Sequence, residues 1–295
     1  MNIPPPRETG FTNSTPLPLY WSRYGKPGGR PLLVLHGGPG AEHDYLLPQM
    51  LALESPEREL VFYDQRGGGK SRTDDRTPIT WQTQVADMAL LIAELQLAPP
   101  DGLTVVGYSW GGLLAMLYAI EAAAGRVAAS PSRLVLVDPA PVTRAFRDQF
   151  EMEFAARQAG PVVRGLRDEL AGSGLKEADP DAFRQRSFEL SVAGYFADPR
   201  RAHDLTPFRV VGRVQQSTWD SLADFDLTRP GMLDSVDIPT LIVHGRQDPI
   251  PLASSEAAAR SMRARLVVVE QCGHVPYVEQ PQQLFNAIDR FLAGS

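Results

Sequence analysis

The sequence predicts an α/β protein: a mostly parallel sheet with helices on both faces, interrupted by a helical insertion. Three observations carry this. Short, continuously apolar runs such as Pro31-Leu32-Leu33-Val34-Leu35, Arg133-Leu134-Val135-Leu136-Val137 and Pro239-Thr240-Leu241-Ile242-Val243 suit strands buried on both faces. Segments of helical periodicity alternate with them, as in a parallel sheet joined by crossover helices. One apolar run, Leu103-Thr104-Val105-Val106, ends in a glycine-flanked serine, Gly107-Tyr108-Ser109-Trp110-Gly111, which opens directly into a helix.

Taken in order, residues 1–16 are rich in proline and polar side chains and read as an irregular arm. Leu19-Tyr20-Trp21-Ser22-Arg23-Tyr24 is a predicted strand, ended by Gly25-Lys26-Pro27-Gly28-Gly29. The run from Pro31 to Leu35 delivers His36-Gly37-Gly38-Pro39-Gly40. Glu59-Leu60-Val61-Phe62-Tyr63 is the next strand, followed by Asp64-Gln65-Arg66-Gly67-Gly68-Gly69-Lys70-Ser71. A helix then places Val85, Met88, Ala89, Ile92 and Leu95 on one face, and after Ser109 another does so with Leu113, Leu114, Leu117 and Ile120. The strand at 133–137 closes on Asp138-Pro139. From about Ala140 to Asp237 no strong strand occurs; the pattern is helical, charged and broken by glycine and proline. Alternation resumes with the strand ending at Val243, a helix from Ser254 to Met262, the strand Leu266-Val267-Val268-Val269 and a last helix around Leu284 to Phe291. The expected organisation is a core in two parts, 1–139 and 238–295, with a helical cap at 140–237. Such a cap lies over the strand ends, where open α/β sheets bind ligands.

Composition narrows the function. Of 295 residues, 43% are hydrophobic and 22% charged, as in an ordinary globular chain. A net charge of −6 argues against a nucleic-acid surface, which needs a basic stripe. No apolar run approaches a membrane span, and Met1-Asn2-Ile3-Pro4-Pro5-Pro6-Arg7 lacks the apolar core of a secretory signal; the expected location is cytoplasmic. Cys272 is the only cysteine, which excludes an intrachain disulfide and a Cys-rich zinc site. The histidines are scattered, with no ligand pair at i, i+4 spacing, so neither metal nor cofactor is expected.

Gly107-Tyr108-Ser109-Trp110-Gly111 matches the G-x-S-x-G nucleophile elbow. Its glycines permit strand and helix to pass close to the serine, and the helix turns its free N–H groups toward the place where an oxyanion forms. A serine hydroxyl needs a base, and the base needs an acid to orient it. His203 lies among charged residues of the insertion and reads as a surface side chain; His244 ends a buried strand and reads as core. His274, in Cys272-Gly273-His274-Val275-Pro276 after the last strand, is the expected base. Two acids follow buried strands. Asp248, in Gly245-Arg246-Gln247-Asp248-Pro249, is favoured over Asp138, whose plainer role is to orient the start of the insertion. The expected oxyanion donors are the backbone N–H groups of Trp110 and Gly38.

His36-Gly37-Gly38-Pro39-Gly40, Phe62-Tyr63-Asp64-Gln65-Arg66-Gly67 and Gly107-Tyr108-Ser109-Trp110-Gly111-Gly112 together resemble the proline iminopeptidase branch of the α/β-hydrolases. His43-Asp44-Tyr45-Leu46 is similar to the tricorn-interacting-factor type of aminopeptidase. The resemblance covers roughly residues 17–138 and 237–293 and implies a triad of Ser109, Asp248 and His274 with an oxyanion hole at Gly38 and Trp110. Aminopeptidases of that family hold the substrate ammonium with glutamates. The place after the triad aspartate is Pro249 here, and Leu205-Thr206-Pro207-Phe208-Arg209-Val210-Val211-Gly212, which corresponds to the other, contains no glutamate. Glu153, Glu189 and Asp204 are the remaining candidates for that role.

Tyr195, Phe208 and Trp219, with Phe196, are candidates for an apolar acyl pocket, or for the core of the cap itself. Arg66 suits either a substrate carboxylate or a tie between loops, and Cys272 reads as a small buried hydrophobe. The expected function is a serine hydrolase working through a covalent acyl-enzyme, proline-iminopeptidase-like, releasing N-terminal residues from small peptides. The alternatives are a carboxylesterase or lactonase on small apolar esters and a hydrolase-derived ligand receptor. The expected partner is a small molecule or short peptide, not nucleic acid or membrane.

Overall fold

A computed structural model describes residues 3–73, 79–99 and 102–294. The first two residues of the arm and the last of the second core part lie outside the described residues. The chain begins with β1 (Glu8–Phe11), β2 (Tyr20–Gly25), β3 (Arg30–Leu35) and β4 (Arg58–Tyr63), then α1 (Trp81–Glu94). There follow β5 (Thr104–Tyr108), α2 (Trp110–Ala123) and β6 (Arg133–Val137). The next stretch is helical: α3 (Arg144–Gln158), α4 (Pro161–Gly172), α5 (Leu175–Ala178), α6 (Pro180–Val192) and α7 (Gly212–Asp220). The chain closes with β7 (Thr240–Gly245), α8 (Leu252–Met262), β8 (Arg265–Val269), α9 (Pro276–Glu279) and α10 (Pro281–Leu292).

The strands form one sheet in the order β1-β2-β4-β3-β5-β6-β7-β8, parallel from β4 to β8, with β1 and β2 antiparallel at one edge. β1 departs from the irregular arm that composition suggests. Its four residues are mostly exposed, so no apolar alternation marks them; backbone pairing with β2, Glu8 opposite Arg23 through Phe11 opposite Tyr20, makes the strand.

The central strands are apolar at every position because successive side chains point to opposite faces and both faces are covered. Leu33, Leu35, Val105, Leu134, Leu136 and Ile242 join Met88 of α1, Leu114 of α2 and Ala258 of α8 in one layer. Leu32, Val34, Val106, Val135, Val137 and Leu241 join Leu284 and Ile288 of α10 in the other. Each such side chain, fully buried, contributes about 1.5–3 kcal/mol relative to exposure. α1 starts at a reciprocal cap, where Thr80 accepts from Thr83 N–H and the Thr83 hydroxyl accepts from Thr80 N–H.

Strand order positions the site. From β3 the chain passes to β4 on one side, and β5 lies against β3 on the other. The loop after β3 and the turn after β5 therefore leave neighbouring strand ends at a topological switch point. Val211 N–H donates to Gly40 O at 2.9 Å and His274 N–H to Tyr195 O at 2.7 Å, which ties the helical stretch to the loops at that end.

Candidate active site

Ser109 sits at φ 53° and ψ −119°, a region that side chains rarely occupy. Such a conformation costs on the order of 1–3 kcal/mol and persists only where its surroundings dictate it. Here Ser109 N–H donates to Val137 O at 3.0 Å, while Ser109 O accepts from Gly112 N–H at 2.9 Å and from Ala140 N–H at 2.9 Å. The turn is tight because Gly111 has no side chain: a Cβ there would stand 2.3 Å from Leu35 O on β3.

The Ser109 hydroxyl lies 2.9 Å from His274 Nε2, and His274 Nδ1 lies 2.7 Å from Asp248 Oδ2. Asp248 Oδ1 accepts from Ile250 N–H at 2.7 Å. The sequence-predicted serine, base and acid are thus in one hydrogen-bonded line. Asp138 is fully buried behind Asp248; its Oδ1 accepts from Gly245 N–H at 2.7 Å. Burial pushes the His274 imidazole down to about 4, against the smaller upward pull of Asp138 and Glu279. A neutral imidazole beside a hydroxyl is ready to take its proton.

The loop carrying His274 is fastened by a residue that sequence reasoning missed. Buried Glu279 accepts from Gly273 N–H at 2.7 Å and from Ala197 N–H at 2.8 Å, joining the loop after β8 to the helical stretch. Tyr108 Oη–H donates to His274 O at 3.0 Å, and the Tyr195 ring stacks on the imidazole with centroids 5.0 Å apart.

Gly38, at φ 125°, and Trp110, the first residue of α2, border Ser109; neither backbone N–H finds an acceptor among the described residues. Gly37 N–H is already committed to Tyr45 Oη at 2.7 Å. Gln65 sets the spacing between the two loops. Its amide donates to His36 O at 2.8 Å and accepts from Trp110 Nε1–H at 2.8 Å, and its backbone N–H donates to His36 Nε2 at 3.0 Å. Burial holds His36 down at about 4, so its ring stays neutral and can accept that bond. Nothing in the local pattern singles out Gln65, because its partners lie 29 and 45 residues away.

Two chambers meet at Ser109. One, about 280 Å³, is lined by Tyr45, Tyr108, Phe188, Tyr195, Phe208 and Tyr277. The other, about 190 Å³, is bordered by Pro141, Arg147, Phe150, Glu151, Gln215 and Trp219. Ser109, His274 and Gly38 line both. Tyr195, Phe208 and Trp219 therefore face the serine, whereas Phe196 is buried in the core layer.

The acidic candidates are elsewhere. Glu153 is half-exposed on α3, where it pairs with Arg157. Glu189 is buried against Gln185 and Arg186 and lines a separate cavity among α4 and α6. Asp204 pairs with Arg201. The carboxylate that lines a chamber together with the serine is Glu151, half-exposed on α3, which accepts from Arg147 Nε at 2.8 Å. Helical periodicity is the reason: Arg147, Phe150 and Glu151 share a face of α3, and Glu153 is turned away from it. The Arg147 guanidinium stacks 4.0 Å from the Trp219 ring centroid. Arg66 ties loops, donating through Nε and Nη2 to Asp87 of α1 at 2.7 and 2.6 Å. His203 is an exposed side chain bonded to Arg200 O, and His244 is buried between Ser255 and Ile250 O.

The model of the alpha/beta hydrolase family matches residues 32–288. The chain belongs to that family. Among other members, a proline iminopeptidase of Lactobacillus delbrueckii subsp. lactis is 25% identical over 260 residues, 85% of each chain. The crystal structure of a proline iminopeptidase from Mycobacterium smegmatis superposes with a TM-score of 0.65 at 21% identity, covering 98% of this chain and 100% of that one. An esterase from Exiguobacterium antarcticum gives 0.68 at 23% identity, over 96% and 98%.

Proposed function

We propose that this α/β-hydrolase is a serine hydrolase that works through an acyl-enzyme and releases N-terminal residues from short peptides, in the manner of a proline iminopeptidase. The observation that carries the mechanism is the line Ser109 Oγ, His274 Nε2, His274 Nδ1, Asp248 Oδ2, with contacts of 2.9 and 2.7 Å. Ser109 Oγ attacks the substrate carbonyl while its proton passes to His274 Nε2. The imidazolium so formed is stabilised by Asp248, and the oxyanion is received by the N–H groups of Gly38 and Trp110. Collapse breaks the C–N bond, and His274 returns the proton to the leaving amine. Water then attacks the ester by the same route and frees the acid.

The aminopeptidase assignment draws on the relatives and on Glu151, whose carboxylate stands at the smaller chamber and can meet a substrate ammonium. A second reading, a carboxylesterase or lactonase, is favoured by the larger chamber, six of whose lining side chains are aromatic and none acidic. A proline arylamide, its N-acetyl derivative and a simple aryl ester separate the two. The expected result is turnover of the free arylamide, at least ~10-fold loss on N-acetylation or in Glu151→Gln, and an ester rate unaffected by Glu151→Gln. Equal rates on blocked and free arylamides would transfer the assignment to the esterase reading.

A further inference from the structure

The Asp138 carboxyl is not used by the mechanism above, yet it is among the most enclosed polar groups of the molecule. It is 0% exposed, at the end of β6, and its backbone is held at φ 41° with Asp138 N–H donating to Val243 O at 2.8 Å. Oδ1 accepts from Gly245 N–H, but Oδ2 finds no donor among the described residues. One oxygen of Asp138, one of Asp248 and a ring nitrogen of His274 all lie within 4.8 Å of one another. Two ionised carboxylates cannot share so dry a space without a cation between them.

Among the described residues no side-chain cation lies between them. The groups that face the pair are Tyr108 of β5, Tyr195, His244 of β7, Cys272 and His274 of the following loop, Glu279 of α9 and, more distantly, Arg157 of α3. His244 Nδ1 is 3.8 Å from Asp138 Oδ1, but burial holds the ring down at about 4, so it is neutral, sharing hydrogen bonds with the Ser255 hydroxyl and Ile250 O. Arg157 is committed to Gln247 O and Glu153. Cys272 is a buried thiol pushed up by its surroundings.

We infer that Asp138 is a neutral carboxylic acid at working pH, that its Oδ2–H donates to Asp248, and that it thereby keeps the negative charge on the acid that faces His274. This rests on Ser109, His274 and Asp248 being the reacting triad. Asp138 is then a positioning residue: it touches neither substrate nor serine. Burial and the nearby Asp248 charge push Asp138 well above the carboxylate range. Burial pushes Asp248 up as well, but hydrogen bonds from Asp138 and from Ile250 N–H oppose the rise. The proton of the pair belongs on Asp138 because Asp248 has donors to stabilise its charge: His274 Nδ1–H and Ile250 N–H at 2.7 Å each.

The test compares Asp138→Asn with Asp138→Ala in the full chain, on whichever substrate the enzyme turns over. Asparagine keeps the geometry, since its oxygen can accept from Gly245 N–H and its amide donate to Asp248. The expected result is a loss of only a few-fold in Asp138→Asn. Asp138→Ala should lose roughly 10–100-fold in kcat with KM unchanged, the worth of one hydrogen bond to a charged group. Its acid limb should also move upward by about 1–2 pH units, because Asp248 protonates more readily without its donor. The infrared band of a neutral carboxylic acid, present in the native protein at neutral pH and absent from Asp138→Asn, gives a reading that survives if Asp138→Ala does not fold.

Four outcomes overturn the inference. Asp138→Asn as inactive as Asp248→Asn would make Asp138 the ionised acid. Asp138→Ala with an unmoved pH limb, or no carboxylic-acid band assignable to Asp138, would leave it a packing residue. Activity lost on chelation and restored by zinc would assign the three donor atoms to a metal ion. Ser109→Ala separates these from failure of the triad reading, since activity surviving that change removes the premise and not Asp138 alone.

Discussion

At the scale of single residues, one neutral imidazole lies between the Asp248 carboxyl and the Ser109 hydroxyl. Replacing Ser109 or His274 with alanine should lower kcat by ~10⁵–10⁶-fold, because such groups act as a unit. Asp248→Asn should cost about 10⁴-fold by favouring the wrong histidine tautomer. Steady-state assays with burst-phase controls for residual native enzyme check both, and a tenth of the activity in Ser109→Ala would end the nucleophile assignment. The sequence alone places the acid limb of kcat/KM near the ordinary histidine range. Burial of His274, which holds it at about 4, moves the expected one-proton limb well below that range. If His274 alone sets the limb, activity persists as pH falls from 7 to 5; a limb centred near 7 assigns it instead to loss of the Asp248 charge, since burial pushes that carboxyl up to about 7.

At the scale of elements, the elbow and the helix behind it depend on close backbone approach. A Cβ at Gly111 would lie 2.3 Å from Leu35 O, so Gly111→Ala must push α2 off β3 and with it the spacing between Trp110 and Gly38. The expected loss of stability is about 1–3 kcal/mol, with a fall in kcat larger than any change in KM. Gly165 in α4 is the contrast. Nothing lies within 4 Å of its Cβ position, so Gly165→Ala should add about 0.5–1 kcal/mol from helix propensity, with kcat unchanged. Urea midpoints of the two variants check the pair, and a destabilised Gly165→Ala would count against the open surroundings of that helix.

At the scale of the whole molecule, buried titratable groups set the pH range of stability. His36, His244 and His274 are each held at about 4 by burial, against about 6.5 in an unfolded chain. Between those values the unfolded chain binds protons that the folded chain refuses, so stability falls as pH drops from 6.5 toward 4. Asp138, Asp248 and Glu279, all raised by burial, keep protons that the unfolded chain has lost and offset much of this. A net difference of up to about one proton corresponds to at most roughly 1.4 kcal/mol per pH unit. Urea titrations at pH 7, 6 and 5 should show the midpoint falling; a midpoint that rises on acidification would reverse the sign of the balance. Among the described residues no helix is long and apolar enough to cross a membrane.

What the sequence determined by itself was carried by short-range patterns. Strand composition and helical spacing predict the parallel sheet, and the glycines around Ser109 mark the turn after β5, because backbone sterics act within a few residues. His274 and Asp248 are legible as loop residues after buried strands, although only the fold brings them within 2.7 Å of each other across 26 residues. The edge strand β1 was hidden, since its pairing is made by backbone and leaves no apolar trace. So was the choice among cap acids. Glu153 and Glu151 differ by two positions, but a helix turns about 200° over that interval, and which side faces the chamber depends on how α3 seats against α4 and Ala193–Tyr195. The partners of Gln65, Glu279 and Asp138 were likewise decided by tertiary structure alone. A buried polar group is satisfied by whatever donor the fold delivers, and for these three donors come from 45 to 107 residues away.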